Sequence, residues 1–308
     1  MSFSANDAYQ LCYWLDTQTS LPPSTPPSGW NLVFAPAFQK NNYAVVLQSS
    51  ADSSQLAIVI QGTRDAAQTI EDMEINNPVV YPIIPNASIA NGASDAFNNV
   101  LSLTVQGQSQ TFQNFITSTD WSSTSVLITG HSLGGTIASI MAPWVASLIL
   151  NTGTVAPPLP ASIQAVTFAA FAAGNQAFVD YLNSSPQYQA NINVNDVVPN
   201  VWATTGPYNV NNIYSMWASP GPQIPQGYLQ TLQKKVASIP QGYQYIQTSN
   251  PTTFKGTIEA APSFSNCKHG NPQDLQWKWE LSLQHNYAYC VQFIGTGCTE
   301  PSDKCPES

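Results

Sequence analysis

Residues 125–150 read SVLITGHSLGGTIASIMAPWVASLIL, and this stretch decides the fold. Ser125-Val126-Leu127-Ile128-Thr129 is a short β-branched, apolar run suited to a buried strand. Gly130-His131-Ser132-Leu133-Gly134 follows, and a small-residue helical run opens at Gly135. Strand, GxSxG, helix is the context a nucleophile elbow requires. The turn is tight, so glycines must flank it where a Cβ would collide with the neighbouring strand and helix. Ser132 then stands at a helix N-terminus, where free N–H groups and the dipole favour developing negative charge. A bare GxSxG arises by chance in about one chain in ten of this length. The motif therefore needs its flanks and the residues below. The plainer alternative is a glycine-rich turn whose serine caps the helix.

Working outward, 308 residues are enough for one large α/β domain or two small ones. Hydrophobic residues make up 43% and charged ones only 8%, so the chain is not disordered by composition. The net charge is −9 and Arg64 is the single arginine. With no cationic stripe to displace counterions, nucleic-acid binding is excluded as a function class. The low charge allows approach to a neutral or lipidic interface. The longest apolar stretch, 137–150, contains Pro143 and is too short to span a bilayer, so no transmembrane segment is expected. Residues 1–6 lack the basic and apolar regions of a signal peptide. The sequence either is not exported by that route or starts after processing, and its composition leans to an extracellular protein. Cys267, Cys290, Cys298 and Cys305 cluster near the C-terminus. In a secreted protein they imply one or two disulfides of undetermined pairing. A zinc site from Cys267, His269 and later cysteines fits no standard spacing. No metal or cofactor is expected. Oligomeric state is not legible.

In chain order, 6–16 has helical spacing, with Asn6 or Asp7 as its cap. Residues 30–34, 43–47 and 56–60 read as strands. Residues 65–76 are a polar segment with one apolar face. Residues 78–85 (PVVYPIIP), broken by prolines, read as an extended loop that packs on the core or borders a cleft. Helical patterns follow at 92–106, 178–182 and 228–236, and strand patterns at 163–168 and up to Asp196. Residues 200–274 are rich in Pro, Gly and aromatics with little periodicity, an unusually long irregular region. The tail from 295 is polar and cysteine-containing. Strands alternating with helices argue for an α/β sheet.

A serine hydroxyl needs a base to take its proton and an acid to orient that base. The chain has 3 histidines, which makes the choice short. His131 points away from the serine in such an elbow, and His269 sits in a polar loop. His285 follows an apolar, aromatic helical run and is the candidate base, the alternative being a helix-end cap. Asp196 follows a strand-like run, at the strand end where catalytic groups gather in open α/β sheets. It is the candidate acid, ahead of Asp180 within a helix. The order Ser…Asp…His suits an α/β-hydrolase.

These residues resemble the class 3 lipase family, which includes filamentous-fungal triacylglycerol lipases and feruloyl esterases. The likeness runs in register from about Asn6 to Tyr289. Ile58-Val59-Ile60-Gln61-Gly62-Thr63 is similar to its strand ending in Arg-Gly-Thr/Ser. Residues 130–135 match its GHSLGG in full. Thr167-Phe168, Gly174-Asn175 and Phe178 resemble its Thr-Phe-Gly…Gly-Asn-x-x-Phe, and Asn195-Asp196-Val197-Val198-Pro199 its Asn-Asp-x-Val-Pro. His285-Asn286-Tyr287 resembles its His-x-x-Tyr more loosely. The resemblance implies an α/β-hydrolase fold with a mostly parallel central sheet flanked by helices, and the long irregular insertion before the histidine departs from it, the gap from Asp196 to His285 being longer than expected of the fungal enzymes. It implies one catalytic domain over 1–308, with a lid and lid-adjacent loop at 64–85, an insertion at 200–274 and a Cys-containing tail at 295–308. It also implies a Ser132–His285–Asp196 triad and an oxyanion hole from the amides of Leu133 and Thr63. The expected activity is carboxylic ester hydrolysis, on acylglycerols at a lipid–water interface or alternatively on more soluble or feruloyl-type esters. A binding scaffold without activity is the reading from another class. Ile70, Val79, Val80, Ile83 and Trp202, with Trp217 as an alternative to Trp202, are the expected substrate-contacting side chains. Departures fall around the mouth. Gln61 stands for the family arginine, Phe171-Ala172 for Pro-Arg, Thr69 for the lid tryptophan, and Ala90 and Ala93 for a later His and Phe.

Overall fold

Seven strands lie in one sheet in the order in which the chain makes them. The computed structural model describes residues 3–37, 42–63, 67, 69, 73–217, 220–268 and 270–305. Helix α1 (Ala5–Asp16) comes first, closed by a capping box in which Ser4 and Asp7 exchange hydrogen bonds. The cap is Ser4, two residues before Asn6 and three before Asp7. Strands β1 (Trp30–Phe34), β2 (Ala44–Ser49) and β3 (Gln55–Ile60) run as an antiparallel meander. After helix α2 (Asn91–Ser102) come β4 (Ser125–His131), α3 (Leu133–Ile149), β5 (Ile163–Phe168), α4 (Gln176–Asn183) and β6 (Tyr188–Asn193). β3, β4, β5 and β6 pair in parallel. Each parallel crossover needs intervening chain, and α3 and α4 supply it.

Residues 200–274 are less irregular than their composition implies. They contain α5 (Gln226–Ala237) and β7 (Thr252–Phe254), and β7 joins β6 in parallel as the edge of the main sheet. Residues 78–85, expected as a loop, begin with Val79–Val80, which pairs antiparallel with Ser88–Ile89. The prolines at 78, 82 and 85 confine that ribbon to two residues a side. The chain then forms α6 (Pro272–Ser282), a π-helical turn at Leu283–Tyr287 and α7 (Ala288–Phe293). Among the described residues no helix is long and apolar enough to cross a membrane.

Side chains alternate across the sheet, so each face builds its own core. Ile58, Ile60, Val126, Ile128 and Ala165 point to the face covered by α2, α3 and α4. Ala57, Val59, Leu127, Val166 and Phe168 point to the opposite face, against α1 and α7. Leu11 and Leu15 of α1 are buried there, each stabilising the docked helix by about 1.5–3 kcal/mol. That burial fixes the C-terminal end of α1 beside the ends of β3 and β4. The tail cysteines are joined as Cys267–Cys305 and Cys290–Cys298, so those thiols are not free for zinc.

Candidate active site

The site lies at the C-terminal ends of β3, β4 and β6. β4 is buried almost throughout, and the chain must reverse sharply to begin α3. Ser132 takes φ 58° and ψ −128° there, a region that costs a non-glycine residue about 1–3 kcal/mol. The neighbours over-determine it. The Ser132 N–H donates to the Phe168 carbonyl at 2.9 Å and the Thr136 N–H to the Ser132 carbonyl at 3.1 Å. Gly134 packs against the Ile60 carbonyl so closely that a Cβ would overlap it. Leu133 is the first residue of α3, so its N–H is one of the helix's unsatisfied donors.

Asp196 lies just past β6, with its own N–H turned back to the Asn193 carbonyl at 2.9 Å. Its Oδ1 accepts the Val198 N–H at 2.9 Å. Its Oδ2 accepts from His285 Nδ1 at 2.9 Å, and both side chains are buried, at 1% and 0% exposure. An ionised carboxylate only accepts, so the imidazole carries its proton on Nδ1 and turns the Nε2 lone pair outward. His285 Nε2 and Ser132 Oγ are both buried without a hydrogen-bond partner among the described residues. Two unpartnered polar atoms of complementary chemistry, a base and a hydroxyl, are the unusual feature here.

The structure brings Asp196 and His285 together through a hub absent from the sequence reading. Asn193 Nδ2 donates to the Gln284 carbonyl at 2.9 Å and to Gln284 Oε1 at 2.8 Å. Asn193 Oδ1 accepts the Asn195 and Gly256 N–H groups at 3.1 and 2.8 Å. Tyr289 Oη accepts the Asn193 N–H at 2.8 Å. Burial, and then the charge of Asp196, hold the Tyr289 phenol well above its usual pKa. Gln284 Nε2 donates to Glu280 Oε1 at 2.8 Å and to the Thr257 carbonyl at 2.6 Å. Glu280 is buried, and burial pushes its carboxyl up to about 7, with the Gln284 amide pulling the other way. His285 rides on the π-turn, a geometry frequent at functional sites. An extra residue per turn leaves no mark in hydrophobic spacing, so nothing in the sequence pattern announces it.

Thr63, expected at the oxyanion hole, follows β3 at the rim of a cleft of about 350 Å³ with Asp16, His131 and Asn286. Its Oγ1 accepts the Thr69 hydroxyl at 2.8 Å. Val79 and Ile83 are half-buried against the core, and Val80 is 79% exposed. Ile70 lies outside the described residues, as do His269 and most of 64–72. Trp202 is fully buried in the core beneath Lys235, whose Nζ stands 5.8 Å from its ring centroid. It therefore presents no face to a cleft. Trp217 is buried too, its Nε1 donating to the Asn195 carbonyl at 2.7 Å beside the acid. His131, set aside as base, donates from Nε2 to the His285 carbonyl at 2.7 Å.

Residues 57–205 match a protein family described as Lipase (class 3). Among solved structures, the fold is similar to that of M37 lipase, at 20% identity and a TM-score of 0.69 over 86% of this chain and 78% of that one. Lipase from Rhizopus microsporus var. chinensis is 20% identical, with a TM-score of 0.48 over 64% and 66% of the two chains. The native Rhizomucor miehei lipase propeptide complex is 20% identical, with a TM-score of 0.47 over 64% and 60%. No curated protein sequence matches the chain. The likeness to M37 lipase and the mostly parallel sheet flanked by helices define an α/β-hydrolase fold.

Proposed function

We propose that the chain, whose residues 57–205 match the class 3 lipase family, is a carboxylic ester hydrolase of that type and cleaves acylglycerols through Ser132, His285 and Asp196. His285 lies beyond the matched segment. The observation that carries its role is the 2.9 Å contact between its Nδ1 and Asp196 Oδ2, with its Nε2 and the Ser132 Oγ both left without a hydrogen-bond partner among the described residues. We read the chain as one catalytic domain, with 64–85 as lid and lid-adjacent loop.

In this reading His285 Nε2 takes the Ser132 proton as Oγ attacks the ester carbonyl carbon. The carbonyl oxygen becomes an oxyanion held by the Leu133 and Thr63 amides, each such donor contributing about 3–4 kcal/mol. His285 then returns the proton to the leaving alcohol, and an acyl-enzyme remains. A water, deprotonated by His285, releases the acid and regenerates Ser132. Asp196 holds the tautomer and stabilises the imidazolium. Acylglycerol is favoured by the family and by exposed apolar Val80 on the ribbon that ends the lid segment. A second reading, soluble or feruloyl-type esters, is favoured by the polar cleft at Thr63, lined by Thr17, Gln18, Thr19 and Asn286.

Hydrolysis of p-nitrophenyl esters from acetate to palmitate, and of emulsified triacylglycerol, decides between them. Long-chain activity that rises once the substrate exceeds its solubility, and that vanishes in Ser132→Ala, is the expected result. Short-chain activity alone moves the substrate to soluble esters. Activity retained in Ser132→Ala overturns the mechanism.

A further inference from the structure

Behind the turn that carries Thr63, a second line of polar groups runs outside the proposed triad. Asp16 closes α1, and its Oδ1 accepts the Gly62 N–H at 2.9 Å. Its Oδ2 stands 3.7 Å from His131 Nδ1, and His131 Nε2 reaches the His285 carbonyl at 2.7 Å. One residue earlier the same turn is stitched again, Gln61 Nε2 donating to the Leu15 carbonyl at 3.1 Å. The fit is close. A Cβ on Gly62 would stand 2.8 Å from the His131 carbonyl oxygen and 3.5 Å from Asp16 Oδ2. A carboxylate at a helix C-terminus opposes the helix dipole, so α1 itself gains nothing from Asp16. The contacts it makes account for it.

We propose that Asp16 is a positioning residue for ester hydrolysis: by accepting the Gly62 amide it fixes the turn that aims the Thr63 N–H at the oxyanion. The inference rests on the hydrolase reading above and adds a group that never touches substrate.

The charge on Asp16 has a direction. A backbone carbonyl only accepts, so neutral His131 carries its proton on Nε2 and faces Asp16 with a lone pair on Nδ1. Burial, and then the nearby His285, push His131 well below the usual histidine range, so it stays neutral. Burial pushes the Asp16 carboxyl up to about 7, opposed by the Gly62 amide. Its 26% exposed side chain lets water at the cleft moderate that rise. Around it on α1 stand Tyr9, Cys12 and Tyr13, and across the cleft Tyr287. Burial raises Tyr9 and Cys12, and a hydrogen bond to Glu300 raises Tyr287. Burial thus brings the charge change of the Asp16 carboxyl near neutrality. Ionised, it is the stronger acceptor for the Gly62 amide. Its contribution to turnover therefore grows as pH rises through about 7.

The test compares wild type, Asp16→Asn, Asp16→Ala and Ser132→Ala on p-nitrophenyl butyrate, with kcat, KM and Tm measured from acid to alkaline pH. Asn keeps a carbonyl acceptor for Gly62 but cannot ionise. Asp16→Ala is expected to lose about 10-fold in kcat, short of the ~10²–10³ for deleting an oxyanion donor outright, with KM held within about 2-fold. Asp16→Asn is expected to recover most of that loss. The wild-type to Asp16→Asn ratio of kcat should rise with pH across neutrality. If Asp16→Ala does not fold, this ratio still decides. An Asp16→Ala enzyme with wild-type kcat, or a ratio flat with pH, overturns the inference while Ser132-dependent turnover stands. Wild type without Ser132-dependent turnover overturns the hydrolase reading and the inference with it.

Discussion

Ser132 is held at φ 58° by the Phe168 carbonyl on one side and the close approach of Gly134 to β3 on the other. Strain of this kind persists only where the surroundings dictate it. The same logic applies to Asp196, whose two oxygens are committed, one to Val198 N–H and one to His285. Asp196→Asn keeps the size of the side chain but turns an acceptor into an amide and favours the wrong imidazole tautomer. We predict a loss of about 10³–10⁴-fold in kcat with thermal unfolding little changed. A variant within a few-fold of wild type would show that Asp196 does not orient His285. These three residues stand out in the sequence as candidates because the proposed chemistry needs scarce types: a serine inside GxSxG, one of 3 histidines, and an aspartate at a strand end. Asp16, Asn193 and Gln284 were not, since each acts through a partner distant in the chain, Asp16 on Gly62 and Asn193 on Gln284. Only the placement of Asp16 at a helix C-terminus was a signal, and it asks a question without naming the partner.

At the level of elements, the π-turn at Leu283–Tyr287 sits between α6 and α7 and carries His285. Glu280 and Gln284 hold it from within, and Asn193 holds it to β6. Glu280 is buried with Oε2 unpartnered. Its carboxyl lies at about 7 in the folded protein and near 4.3 in an unfolded chain. The folded state therefore binds this proton more tightly. Stability falls as pH rises between those values and is level above them. Asp16 acts in the same window and the same direction. Glu280→Gln should therefore narrow, without closing, the drop in Tm between about pH 5 and about pH 8. A drop equal to that of wild type would contradict a buried, raised carboxyl at this position. Elements with strong periodicity, such as β3, β4 and α3, were readable because burial on one or both faces dictates the residues. The ribbon at Val79–Val80 and the edge strand β7 were not. Both are short, and their pairing partners, not their composition, make them strands.

For the molecule as a whole, a sheet laid down in chain order separates two cores. One lies under α2, α3 and α4, the other under α1 and α7. The proposed nucleophile belongs to the sheet and the helix after it, whereas the proposed base rides on the continuous C-terminal helical stretch of α6, the π-turn and α7. The position of His285 thus depends on how firmly that end is docked. Cys290–Cys298 closes a loop of 8 residues and Cys267–Cys305 one of 38. The clustering of cysteines pointed to bridges, but their pairing needed the fold. Replacing Cys267 and Cys305 together by serine should lower the free energy of unfolding by about 2–4 kcal/mol, read as a lower urea midpoint at unchanged slope. An unchanged midpoint would mean the tail contributes nothing to docking the helices before it.

The central claim is that Ser132 is the nucleophile, and covalent labelling tests it most directly. The protein is incubated with an alkyl p-nitrophenyl phosphonate in detergent until ester hydrolysis stops, then digested and mapped by mass spectrometry. The account predicts one adduct per chain, on the peptide holding Ser132, formed in step with the loss of activity and absent from Ser132→Ala. An adduct on another residue, or full hydrolytic activity with Ser132 labelled, would contradict it.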